Sequence, residues 1–214
     1  HTEILPYSKK EIKRAIEHEL ARNGQVYFLH NRVQTIEKVK KGLEKLLNDS
    51  RDDKIPTLGN HDTTSIGIIH GRMNEKQIVK TMEDFSAAKT QILVATTIIE
   101  NGIDLGNVNT IIIEDASRLG LAQAYQIRGR VGRSHIKSFA YLFYPKKLTP
   151  IAQERLKALG QAKELGVGYQ IALKDMEIRG AGNILGREQS GSINKIGLNL
   201  YCQMLAESVE KMRN

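Results

Sequence analysis

Val26-Tyr27-Phe28-Leu29-His30-Asn31-Arg32 sets a pattern that the rest of the chain repeats. Four apolar residues run without a polar one between them, as in a short strand buried on both faces. The run then breaks into three polar side chains at its carboxyl end, where open α/β sheets place their ligands. Before it, Ser8-x-x-Glu11 has the spacing of a capping box, and Ile12, Ala15, Ile16 and Leu20 recur at helical intervals. Gly24 ends that predicted helix. After it, Ile36, Val39, Leu43, Leu46 and Leu47 share one helical face.

The same unit returns four times. Ile66-Gly67-Ile68-Ile69 ends in His70-Gly71-Arg72, Ile92-Leu93-Val94-Ala95 in Thr96-Thr97, and Thr110-Ile111-Ile112-Ile113 in Glu114-Asp115. Phe139 to Phe143 is the fifth predicted strand. Between them, Asn74 caps a helix expected to turn Ile78, Val79, Met82 and Phe85 inward, and a further helix runs through Ala122 to Ile127. Asn48 to Ser65 is a polar surface loop, longer than the usual connection. Strands alternating with helices predict an α/β fold, a mostly parallel sheet sandwiched by helices.

Beyond Pro145 the alternation stops. Thr149-Pro150-x-x-Gln153 reads as a helix start with a cap, an N1 proline and an N3 glutamine. A glycine-rich stretch runs from Gly180 to Gly191, and Leu198, Tyr201, Cys202, Leu205, Val209 and Met212 form the stripe of a closing helix. The expected division is a motor-sized domain over residues 1–146 and a smaller C-terminal unit over 147–214, a helical hairpin, a loop and a closing helix.

The composition bounds the class. Lys plus Arg exceed Asp plus Glu by 32 to 24, a formal charge of +8, which points to an anionic partner and first to nucleic acid. No apolar run reaches the ~18–20 residues of a membrane span, and no signal-peptide pattern is present. The single cysteine, Cys202, rules out an internal disulfide and suits a reducing, cytoplasmic setting. The chain opens at His1 without a methionine and reads as a fragment of something longer. The six histidines and one cysteine show no metal-ligand spacing. Gly180-x-Gly182 with Gly186 is no dinucleotide fingerprint, because its last spacing is one residue too long and no apolar strand precedes it.

Two further stretches carry phosphate chemistry. Gln126-Ile127-Arg128-Gly129-Arg130-Val131-Gly132-Arg133 sets three arginines and two glycines into eight residues. Arginine keeps its charge and offers a flat fork of donors to phosphate oxygens, and glycine lets a ligand approach the backbone. Thr96 and Thr97 place two hydroxyls at a strand end, and Gly102-Ile103-Asp104 adds a tight turn and one carboxylate. Nowhere is there Gly-x-x-x-x-Gly-Lys-[Ser/Thr], the loop that holds a triphosphate, nor an Asp-Glu-x-His-like strand end for its metal. The chain carries half of an ATPase site at most.

Together these segments resemble the second RecA-like motor domain of superfamily 2 helicases and translocases. Val26 to Arg32 is similar to motif IV, Ala95 to Asp104 to motif V, and Gln126 to Arg133 to motif VI. Past residue 145, Arg155-Leu156, Lys174 to Gly182 and Leu185 to Gly191 resemble the translocation motif shared by RecG-type helicases and transcription–repair coupling factors. The run Ile193 to Leu205 resembles the coupling factors more.

The resemblance implies ATP and Mg²⁺ shared with an amino-terminal RecA-like motor domain, with Arg130 and Arg133 reaching the γ-phosphate as catalytic arginine fingers. It implies that Gly102, Asp104 and Gln126 serve the nucleotide, and that His30, Asn31, Arg32, Thr96 and Thr97 meet double-stranded DNA. Arg155, Arg179 and Gln189 would couple the two, and RNA polymerase would be met through other domains. A RecG-type branch-migration helicase half and a catalytically silent nucleic-acid-binding module remain the alternatives.

Overall fold

The computed structural model describes residues 1–48, 64–96, 108–129, 131 and 137–161. Among them are six strands: β1 (Thr2–Pro6), β2 (Gln25–Leu29), β3 (Ile66–Ile69), β4 (Ile92–Ala95), β5 (Val108–Ile113) and β6 (Phe139–Tyr144). All pairings are parallel, in the order β1-β6-β5-β2-β4-β3. Five helices accompany them: α1 (Lys9–Leu20), α2 (Ile36–Asn48), α3 (Glu75–Ser86), α4 (Leu121–Arg128) and α5 (Pro150–Gln161).

The alternation of side chains along each strand sorts the core into two halves. Val26, Phe28, Ile92, Val94, Ile112 and Phe143 face α1 and α2, where they meet Ile12, Ile16, Ile36 and Leu43. Tyr27, Leu29, Leu93, Ile111, Ile113 and Leu142 face the other way, against Phe85 of α3, Leu121 and Ile127 of α4, and Leu156 and Leu159 of α5. Both faces are covered, which is why β2, β4 and β5 read as unbroken apolar runs. Each large side chain so buried contributes about 1.5–3 kcal/mol.

The structure corrects four local expectations. β1 is a sixth strand, not read from the sequence; as an edge strand it offers only Ile4 to one face and Leu5 to the other. β5 starts two residues before Thr110, because the register with β2 slips between Gln25 and Val26 and leaves Asn109 as an extra residue. Val79, expected inward, is 48% exposed, since the inward stripe of α3 is Ile78, Met82 and Phe85.

Helix ends supply the fourth correction. Ser8 accepts from the Glu11 backbone N–H at 3.3 Å, but the Glu11 carboxylate turns to Arg14 at 2.6 Å instead of closing a capping box. The full box is at α3, where Asn74 and Gln77 bond reciprocally. At α5 the third position is Ala152, whose N–H donates to the Thr149 hydroxyl at 3.2 Å, so Gln153 falls one place beyond it.

Candidate nucleic-acid and nucleotide faces

Because the sheet is parallel, every strand ends on the same edge. Three backbone bonds tie those ends together: His30 N–H to the Ala95 carbonyl at 2.9 Å, Glu114 N–H to Leu29 at 3.2 Å, and Thr96 N–H to Ile69 at 3.2 Å. His30, Thr96 and Glu114, separate in sequence, thereby become neighbours.

A cleft of about 270 Å³ opens at this edge, lined by residues that include Tyr7, His30, Asn31, Arg32, Glu114 and Arg118. The His30 ring is engaged on both sides: Nδ1 pairs with the Glu114 carboxylate, and Nε2 bonds the Thr35 hydroxyl at 2.7 Å. That arrangement holds the turn after β2 in place and leaves Asn31 and Arg32 exposed beyond it. Arg118 is held by Asp115 at 2.8 Å, and Ser117 donates to the same carboxylate at 2.5 Å. Thr96 is buried, at the end of β4. Burial pushes the Tyr7 phenol above its ordinary pKa, and the Glu114 carboxylate nearby adds to the rise.

Sequence reasoning named His30, Asn31, Arg32 and Thr96, and the structure brings them to one edge. It missed Tyr7, Thr35 and the pairing of Glu114 with His30, which are 84 residues apart. Glu114 closing an apolar strand was a visible signal; its partner was not.

The arginine-rich stretch belongs to the opposite edge. β5 and β6 are parallel, so the connection between them must return from the carboxyl edge to the amino edge, and α4 makes that return. Gln126 is exposed near its end, Arg128 lies 4.7 Å over the Tyr125 ring, and Val131 packs on the core. A glutamine amide followed by guanidinium groups is a donor set that suits phosphate oxygens. Arg155 sits half-buried on α5, beside Leu156 in the core.

Thr97, Gly102, Asp104, Arg130, Arg133, Arg179 and Gln189 lie outside the described residues. Among the described residues, no group of His, Cys, Asp or Glu is placed to hold a metal ion, and no helix is long and apolar enough to cross a membrane.

Comparison with known proteins gives three findings. The family model for the helicase conserved C-terminal domain matches residues 9–135. The transcription-repair-coupling factors of Staphylococcus aureus (strain USA300) and Staphylococcus haemolyticus (strain JCSC1435) are each 45% identical over 99% of this chain. The chain spans only 17% of their length. Among solved structures, RecG bound to a three-way DNA junction matches 90% of this chain and 24% of its own, with a TM-score of 0.69 and 27% identity. The C-terminal domain of the DEAD-box protein Dbp5 shares the fold, at a TM-score of 0.51 and 16% identity over 75% of this chain and 85% of its own.

Proposed function

We propose, from the premise that this chain belongs to the helicase conserved C-terminal domain family, that it is the second motor half of an ATP-dependent double-stranded DNA translocase acting in transcription-coupled repair. The observation that carries the reading is the separation of tasks between the two edges of one rigid sheet. One edge gathers Asn31, Arg32 and Thr96 beside a cleft. The other receives the chain from Gln126 into the arginine-rich stretch. A motor needs such an arrangement, in which nucleotide and track are held apart yet joined by packed elements.

In this reading Asn31, Arg32, Thr96 and Thr97 meet the sugar-phosphate backbone, and His30, fixed by Glu114 and Thr35, sets their turn. Backbone contacts position a motor without reading sequence, as translocation along any DNA requires. Arg130 and Arg133 spread the charge that develops on the transferred phosphoryl group, an effect worth about 10³–10⁵ in rate where one arginine supplies it. Bound ATP supplies the free energy, and Mg²⁺ is held from the amino-terminal motor domain. Gly102, Asp104 and Gln126 line the nucleotide face, while Arg155, Arg179 and Gln189 couple cleft closure to movement on duplex DNA. RNA polymerase is engaged by other domains of the whole protein.

The identity shared with coupling factors through the C-terminal segment supports this reading over its nearest rival. That rival, a RecG-type branch-migration half, draws on the likeness to the RecG structure. An upstream RNA-polymerase-binding domain rather than a wedge domain separates the two, and an upstream phosphate loop excludes a silent binding module.

Phosphate release from ATP, with and without duplex DNA, tests the split site. The 214-residue chain alone is expected to release none, and adding the amino-terminal motor domain in trans to restore release. Robust release by the chain alone would overturn the proposal.

A further inference from the structure

The amino edge holds a charged cluster that the proposed motor does not yet use. Glu19, on the last turn of α1, has no solvent exposure. Its Oε2 accepts the Thr110 hydroxyl at 2.5 Å and pairs with the Arg22 guanidinium, while its Oε1 is buried with no hydrogen-bond partner. Gly24 makes the room: a Cβ there would stand 1.7 Å from Oε1. The extra residue Asn109 in β5 puts Thr110 on the side of α1.

Burying a carboxylate carries a desolvation penalty of about several kcal/mol, so a buried ion pair is weak evidence for stability and better attested as a device that fixes register. What this one fixes is visible in the other arm of Arg22. Nη1 donates to the Lys137 carbonyl at 2.9 Å, and the guanidinium lies 5.1 Å over the Phe139 ring. The Lys137 ammonium covers the same ring at 5.5 Å. Lys137 is where the chain re-enters the sheet, four residues after Arg133.

We propose that Arg22, held by Glu19 and Thr110, is a positioning residue that pins the Lys137 carbonyl and thereby sets where Arg133 meets the transferred phosphoryl group. The inference rests on the reading of Arg133 as a finger. Four residues of chain span at most ~13–14 Å, so displacing Lys137 displaces the arginine stretch directly. A misplacement of ~1 Å is enough to lower a rate about a hundredfold.

The test is DNA-stimulated ATP turnover by the full-length protein carrying Arg22→Lys. Lysine keeps a cation for Glu19 but lacks the fork that reaches Lys137 as well. The paired variant Arg22→Gln with Glu19→Gln removes both charges and also falls short of Lys137. Both are expected to lower kcat at least about tenfold, leaving KM for ATP within about twofold and the melting temperature near wild type. Adding Arg133→Ala to either is expected to lower kcat no further than Arg133→Ala alone, because coupled residues are not additive.

Arg133→Ala run alongside separates the two ideas. Wild-type turnover in Arg133→Ala would overturn the finger reading and this inference with it. Lost turnover there, with unchanged kcat in both Arg22 variants, would overturn this inference alone. Loss of the fold in both variants would assign the cluster to stability and overturn it too.

Discussion

Glu19 and Glu114 are carboxylates at opposite edges of the same sheet, each paired with a base and each touching a threonine or its neighbourhood. Glu19 has no exposure, and its partners come from its own helix and from β5. Glu114 keeps 21% of its side chain in solvent and pairs with His30, whose ring has a second partner in Thr35. The first pair sits in a low dielectric where no water can replace a lost partner. The second lines an open cleft where water can. One edge is built as a fixed joint, and the other as a surface whose side chains can exchange partners with an incoming anion.

The largest expected effect is at the buried joint. Glu19→Ala leaves the Arg22 cation and the Thr110 hydroxyl without their shared acceptor, and should destabilise by about 3–5 kcal/mol, read by denaturant unfolding. A cost below ~1 kcal/mol would show that the site relaxes or admits water, and the contrast between the edges would break. Gly24→Ala should follow, at about 1–3 kcal/mol, because the new methyl group must displace the Glu19 carboxylate. In a Glu19→Ala background that penalty should largely vanish, which identifies the carboxylate as the obstacle.

Glu114→Gln at the open edge should cost less than about 1 kcal/mol, and the difference from wild type should shrink further in high salt. The smallest effect is a titration. Removing the Glu114 charge should bring the Tyr7 pKa down, yet keep it above the model value of 10.0, since burial is the larger cause of the rise. The difference spectrum against Tyr7→Phe would report it. The sign is that of an acid held protonated by the fold: the contribution of Tyr7 to stability is full below pH ~10 and is lost as pH rises through its folded pKa. An unchanged Tyr7 pKa in Glu114→Gln would mean that solvent already screens the pair.

The apolar runs of β2, β4 and most of β5 could be read directly, because strands buried on both faces need no periodicity to be seen. β1 escaped because an edge strand has only two apolar residues to show, and its remaining positions, Thr2, Glu3 and Pro6, do not favour a strand. Val79 was misjudged because apolar character alone does not say which side of α3 a residue takes. The motif residues at strand ends were legible as chemistry, and their shared edge followed once the sheet was known to be parallel. The buried joint was not legible: Glu19 and Arg22 look like an ordinary surface pair at helical spacing, and Gly24 looks like a helix stop. It is Asn23 that takes the left-handed conformation there, with φ 57°, while Gly24 is small for the sake of Glu19.

By itself the sequence determined the α/β class, the alternation of layers, the helix caps at Ser8 and Asn74, and the residues that carry phosphate chemistry. These depend on local periodicity and on side-chain type, which are written along the chain. Only the tertiary structure decided the strand order, the sixth strand, the burial of Glu19 and the pairing of Glu114 with His30. Those depend on which distant segments pack together, and packing energy is shared among residues that no local pattern connects.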